Sequence, residues 1–451
     1  MSSEPNSIPA REPQVESSRE IAEARRSAVV TWLAIAVAVG LFAWRFPSSA
    51  LTVVNFIVVL SVLVFVHEWG HYQFARWAGM KVNRFAIGFP PWIYTRYRNG
   101  IAYSIGALPI GGMVDIAGLG SEEEMVATAK DVGGGVGTAG TTVSGVAVED
   151  ASRPSRMDAY RLRHPDRPHG EKEFQDATLG WRFWALFAGP LMNFLFAVVV
   201  FIGLFSIAGV PVRSTNQVEG VNPDTPAQAA GIQAGDRIIG VNDKRLSDPT
   251  KVRQLIREGR GQQLTLVIER AGHVLRIPVR PKYTEEPTPE GKMERVPMIG
   301  VRFRQEYERL GFVESVRIGS AYAIGLSTHI LSFLGRAVTG RLSEFDKRGV
   351  GGPVRIAQEV GETARSGWRD LILFSAMLSV NLGLMNLLPF PALDGGRILF
   401  LGYELVMRRP FDPRKEGLVH MVGMLVLLAF MLFITVRDVL PWIEKGLQKI
   451  F

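Results

Sequence analysis

Two histidines and a glutamate in the pentapeptide His67-Glu68-Trp69-Gly70-His71 carry the first chemistry visible in this chain of 451 residues. Residues four apart share one face of an α-helix, so both imidazoles can reach one divalent ion while Glu68 lies beside it. Imidazole nitrogens suit zinc, and the adjacent carboxylate suits a general base that takes a proton from water. The pentapeptide closes an uncharged apolar run, Leu51 to Val66, and ionisable groups attached to such a run are costly unless they have a function. The chain has no cysteine, so disulfides and a thiolate nucleophile are excluded, and His, Asp or Glu must complete any zinc site.

The missing ligand is expected from Asn386-Leu387-Leu388-Pro389-Phe390-Pro391-Ala392-Leu393-Asp394-Gly395-Gly396. Two prolines remove amide donors and two glycines favour a turn, so this segment cannot continue as a regular helix. Broken backbone at membrane depth is tolerated only where it is buried in protein or lines a wet cavity. A lone carboxylate there is costly, and a metal would satisfy Asp394. Two histidines from one helix and an aspartate from another leave a fourth position open, which marks catalytic rather than structural zinc. The same donor set also accepts iron.

Several elements have to hold these groups. Hydrophobic residues make up 47% of the chain, more than a soluble protein needs, and five uncharged stretches are expected to cross a membrane. They are Ala28 to Trp44, Leu51 to Val66, Phe183 to Val212, Leu371 to Leu393 and Leu418 to Val436. Arg19, Arg25 and Arg26 precede the first, and Arg76, Lys81, Arg84, Arg96 and Arg98 follow the second. The positive-inside rule therefore places the N-terminus in the cytoplasm and runs the second span inward. The apolar run ahead of His67 covers roughly 24 Å of a hydrocarbon core about 30 Å thick, which submerges the histidines near the cytoplasmic side. Ile318 to Gly335 is uncharged but carries Ser, Thr, Gly and His; it is read as interfacial, so that the span ending at Asp394 also runs inward to the depth of His67. The net charge of +8 does not imply nucleic acid, because the basic residues cluster beside the apolar segments.

An HExxH in one span with NxxPxPxLDGG in a later one resembles the site-2 protease family of intramembrane zinc metalloproteases, most closely its bacterial envelope-stress (regulator of sigma-E protease) type. Gly189-Pro190-Leu191-Met192-Asn193-Phe194 and Ala107-Leu108-Pro109-Ile110-Gly111-Gly112 match as well, and the likeness runs from about residue 51 to 440. The resemblance implies zinc held by His67, His71 and Asp394, with Glu68 as general base. It also implies a membrane-associated sheet whose edge holds the substrate, with Gly111 and Gly112 there; Asn386, just before the break, is the candidate for gripping the substrate backbone.

The expected fold is a polytopic α-helical membrane protein with about five transmembrane helices, a membrane-associated β-hairpin or sheet region and one soluble, mainly β, PDZ domain. Residues 1–27 are expected as a disordered cytoplasmic N-terminus and 28–46 as an extra anchor. Residues 51–118 take the HExxH helix and the β region, 119–180 a cytoplasmic insertion loop and 183–212 a further span. Residues 213–283 take the PDZ domain, with strands near Arg237 to Val241, Leu264 to Glu269 and Val274 to Val279 and a helix from Pro249 to Glu258. Residues 284–368 are read as a linker with the interfacial amphipathic helix, and 369–440 as the last two spans. His164, His169, His273, His329 and His420 are read as solvated.

By resemblance the chain is a multi-pass protein of a bacterial inner membrane, with the PDZ domain extracytoplasmic. Its partners are the lipid bilayer and transmembrane substrates, such as anti-sigma factors, already shortened by a first-site cut. The competing class is a non-catalytic scaffold or zinc carrier with a PDZ module. Glu68 argues against it, because holding a metal needs no general base.

Overall fold

The structure is a computed structural model that describes residues 45, 47–119, 172–246, 248–287, 293–343, 346 and 351–447. The N-terminal segment, the expected first anchor apart from residue 45, and residues 120–171 of the expected insertion loop, with His164 and His169, lie outside the described residues; the end of that loop, from 172, leads into the helix that starts at Leu179.

Helix α1 (Pro47–Trp77) carries the apolar run straight through His67 and His71. A hairpin of β1 (Val82–Arg98) and β2 (Ile101–Ile116) follows, and then α2 (Leu179–Ile207). Where the apolar composition suggested a span reaching Val212, α2 stops at Ile207. Gly209 turns the chain at φ +81°, a conformation open to glycine, into β3 (Val210–Val221).

The β domain continues with α3 (Pro226–Ala229), β4 (Arg237–Val241), β5 (Lys244–Arg245), α4 (Pro249–Glu258), β6 (Leu264–Arg270) and β7 (His273–Val279). After the hairpin β8 (Lys282–Pro287) and β9 (Met293–Met298), β10 (Val301–Glu308) returns to pair with β3, giving the order β10-β3-β4-β6-β7. The sheet thus closes well past residue 283, in a segment read from sequence as linker. Alternation along β6 buries Leu264, Leu266 and Ile268 against Val252 and Ile256 of α4. Asp248 starts α4 by accepting the Thr250 amide hydrogen at 2.8 Å. A sheet capped by two short helices is the architecture expected of a PDZ domain.

The chain returns to the bundle through α5 (Phe312–Val338), α6 (Pro353–Ser366), α7 (Trp368–Asn386), α8 (Asp394–Met407) and α9 (Pro413–Leu447). Among the described residues, five helices are long and apolar enough to cross a membrane: Ser49–Trp77, Leu179–Ile207, Phe312–Val338, Trp368–Asn386 and Lys415–Leu440. The set includes α5, which the sequence reading kept interfacial. Its 27 residues extend beyond Ile318 to Gly335 at both ends, so length does not exclude a crossing. The outward faces carry Val54, Val58, Val199, Leu425 and Phe433, an apolar exterior suited to lipid.

Contacts along α2 set the helix directions. His67 and His71 of α1 meet Asn193 and Ala185, and Ser379 and Gly383 of α7 meet Asn193 and Pro190, so both helices run antiparallel to α2. Helices α1 and α7 therefore point the same way, and the last residue of α7, Asn386, arrives at the depth of His67.

Candidate metal centre

The break between α7 and α8 delivers the carboxylate. Helix α7 ends at Asn386, residues 387–393 form turns, and Asp394 is the first residue of α8, where unpaired helix amides favour a negative charge. A side chain at Gly395 would meet the carbonyls of Leu387 and Leu388, and one at Gly396 that of Phe390. The loop folds over the start of α8 that closely, which is what the glycine pair allows.

Nε2 of His67, Nε2 of His71 and Oδ2 of Asp394 form a nearly equilateral triangle. The two nitrogens are 3.2 Å apart, and the oxygen lies 3.1 Å from His67 and 3.3 Å from His71. Three ligands at about 2.0–2.1 Å from a tetrahedral zinc would stand roughly 3.3 Å apart. Asp394 Oδ2 is buried without a hydrogen-bond donor, and both histidines are less than a tenth exposed. Three closely spaced donors facing one point, one of them unsatisfied, fit a divalent cation.

The histidines are oriented from behind. His71 Nδ1–H donates to the Ala185 carbonyl at 2.7 Å, which leaves Nε2 with its lone pair directed at the site. His67 Nδ1 lies 3.2 Å from the Asn193 amide, and Asn193 is fully buried with Oδ1 lacking a partner. Rotating that amide aims its oxygen at Nδ1–H, the proton a neutral imidazole carries when its Nε2 is a ligand. A side chain at Gly189 would run into the His71 ring, and one at Gly70 into the Ala188 carbonyl, so α1 and α2 lie in contact here through small residues.

Glu68 faces the sheet. It accepts a hydrogen bond from the Val114 backbone, and a side chain at Gly112 would meet Val64 and the Glu68 methylene. Residues Arg84 to Ile87 of β1 each pair twice, with Ala102 to Ile105 and with Gly112 to Asp115. The hairpin is therefore folded over, and its Gly112–Ile116 segment pairs on one side only among the described strands. Gly111, with φ +92°, sits at the start of that segment against the Phe89 ring. The Asn386 amide lies 3.3 Å from His67 Nε2, beside the ligand triangle.

All seven residues picked out by the sequence thus lie on or beside one site. Asn193 went without a role, although a lone amide in an otherwise apolar run was its signal. The solvated reading of His420 is corrected: it is 7% exposed and accepts the Ala392 amide hydrogen at 2.9 Å. Its flanking residues alone did not reveal which face of α9 meets the loop. His273 and His329 are exposed.

A helical bundle with a two-histidine, one-aspartate site and an adjacent glutamate defines a membrane zinc metalloprotease. The model of Peptidase family M50 matches residues 55–430, and the chain belongs to that family. It is 35% identical to the zinc metalloprotease RasP of Oceanobacillus iheyensis over 427 residues, covering 86% of this chain and 98% of that protein. It is 34% identical to the RasP of Geobacillus kaustophilus over 422 residues, covering 86% and 97%. Among solved structures, the PDZ domain of an SdrC-like protein from Listeria monocytogenes matches at 19% identity, over 21% of this chain and 90% of that one, with a TM-score of 0.16.

Proposed function

We propose that this chain cuts single-span membrane proteins inside the bilayer after another protease has shortened them, releasing a fragment such as an anti-sigma factor. The observation that carries the reading is the ligand triangle of His67, His71 and Asp394, set in apolar helices with Glu68 beside it.

The roles follow from placement. His67, His71 and Asp394 hold zinc, which when bound acts as a Lewis acid toward water and the scissile carbonyl. Glu68 takes the proton of the attacking water and returns it to the leaving amine nitrogen. The Asn386 amide, beside the ligands, donates to the substrate backbone. A helical substrate hides its peptide bonds and has to unwind first; the one-sided Gly112–Ile116 segment next to Glu68 offers strand pairing to the exposed backbone, with Gly111 and Gly112 leaving it room.

The setting is a bacterial inner membrane with the N-terminus in the cytoplasm and the β domain outside. Basic residues after α1 and after α8 support this orientation. Helix α2 ends at the β domain and α7 starts beside it, with Arg369 stacked 4.5 Å from the Tyr307 ring, so the chain between them leaves and returns on one side. Helix α6, at 14 residues, is too short to offset a crossing by α5, which favours α5 lying at the interface. Its Gly319 and Tyr322 meet α2 at Phe201, Ile202 and Phe205, in the last two turns of α2 next to the β domain.

The test is Glu68→Gln in the full-length protein with a membrane-embedded substrate. Cleavage is expected to fall by about 10²–10⁴-fold while one zinc per chain remains bound. Undiminished cleavage with zinc in place would reject the assignment of the base.

A further inference from the structure

Two residues ahead of Asp394, Ala392 holds φ +79°, a left-handed conformation that a residue with a β-carbon rarely adopts. Something outside the loop has to keep it there. The Ala392 N–H donates to Nδ1 of His420 on α9, at 2.9 Å, and His420 is 7% exposed. One turn further along α9, a side chain at Gly423 would collide with Pro391, so the helix also presses directly on the residue before Ala392. The His420 ring packs edge-on to Phe400 of α8, at 5.6 Å between centroids. With Nδ1 accepting, the ring carries its proton on Nε2, which has no hydrogen-bond partner; the nearest carboxylate oxygen, on Glu416, is 3.8 Å away.

We propose that His420 is a positioning residue for the metal site: through the Ala392 amide it fixes the loop that aims the Asp394 carboxylate at His67 and His71. It touches neither the ion nor the substrate. Its contribution is the acceptor at one defined point, since a slack loop would let Asp394 Oδ2 drift from the ligand triangle. The idea rests on those three residues holding zinc, and it adds a requirement that the family motifs do not contain.

Two amide substitutions separate the acceptor from mere polarity and bulk. In His420→Asn the side-chain oxygen falls near the place of Nδ1, whereas in His420→Gln it reaches the place of Nε2. Full-length variants are loaded with zinc in detergent, and zinc affinity is read by competition with a chelator of known affinity, alongside the thermal midpoint of the metal-free proteins. His420→Asn is expected to stay within about threefold of the wild type, and His420→Gln to bind zinc about 10–100-fold more weakly with an unchanged metal-free midpoint. His420→Phe, which keeps the ring and loses the acceptor, takes the place of Gln if that variant does not accumulate, with the same expected loss. Equal affinities for the Asn variant and the acceptor-less variant would overturn the proposal, as would misfolding of all three. A wild-type chain that binds no stoichiometric zinc would remove the metal site as well, whereas a tightly bound ion indifferent to residue 420 would remove only this role.

Discussion

Around the metal site the buried side chains include His67, His71, Asn193, Ser379 and His420, while in the β domain the core is filled by Ile238, Leu266, Ile268, Val241 and Val252. The helices turn Val58, Val199 and Phe433 outward, and the β domain turns charges outward. Both regions also bury apolar side chains, such as Phe201, Leu204 and Val380 between the helices, so they differ in what they turn outward and in the polar groups gathered at the site. Between membrane helices no hydrophobic drive exists, so packing of small residues and buried hydrogen bonds hold the interior together, and that interior is also where the chemistry sits. In the β domain water drives the core together, and a polar group is admitted only when paired. Asp236, 1% exposed, illustrates this: it receives hydrogen bonds from Arg270 at 2.6 and 2.7 Å and from the Gln233 amide at 2.8 Å.

The contact between α1 and α2 is where the largest effect is expected. Gly189→Ala places a methyl group against the His71 ring, and cleavage is expected to fall by about 100-fold or more with loss of bound zinc, measured on the full-length protein. Normal zinc content would mean that α1 and α2 can part without harm to the site, contrary to the packing described.

In the β domain the larger effect is expected at its buried charge. Burial acts to raise the Asp236 carboxyl, but the Arg270 hydrogen bonds, the Gln233 amide and the Arg270 charge outweigh it and hold the group below the usual carboxylate range. The stabilisation is therefore complete above the unfolded value of about 3.9 and is lost as pH falls through the lower folded value. Asp236→Asn is expected to cost about 2 kcal/mol near neutral pH and to flatten the domain's acid dependence, read by hydrogen exchange of residues 210–308 in the intact chain. An unchanged acid slope would assign the dependence to another group.

Ile268→Val removes one methylene from the same core and is expected to cost about 1 kcal/mol by the same readout, with zinc binding untouched. A drop in zinc affinity would show the two regions to be coupled. The smallest effect is expected for Glu306→Gln, which breaks the exposed pair with Arg213 at 2.9 Å and should change stability by less than about 1 kcal/mol.

The metal site was legible because its information is local. HExxH fixes two ligands by helical spacing alone, and the proline and glycine pairs around Asp394 announce a backbone break wherever they fall. The domain strand Arg237–Val241 and helix Pro249–Glu258 stand where alternation, caps and proline put them. What escaped depends on partners far along the chain. The return of β10 to β3 joins Val301 to Val221 across the intervening domain, and no periodicity within either strand encodes that pairing. His420 escaped for the same reason, because its burial is decided by a loop whose path the local sequence does not describe. The extent of α5 differed because the uncharged stretch ends at Arg317 and Arg336, whereas the helix continues through these charges and Glu314 into its flanks.

The proposed ligands of one ion are separated by 323 positions, from His71 to Asp394, with the whole β domain between them. At roughly 5–20 residues per second, about 16 to 65 seconds of synthesis elapse between the emergence of the second histidine and that of the aspartate. Throughout that interval the nascent chain carries two of the three proposed ligands. The proposed set can be completed only after most of the chain has been made, so the order of translation fixes the earliest moment at which an ion could be held by all three side chains.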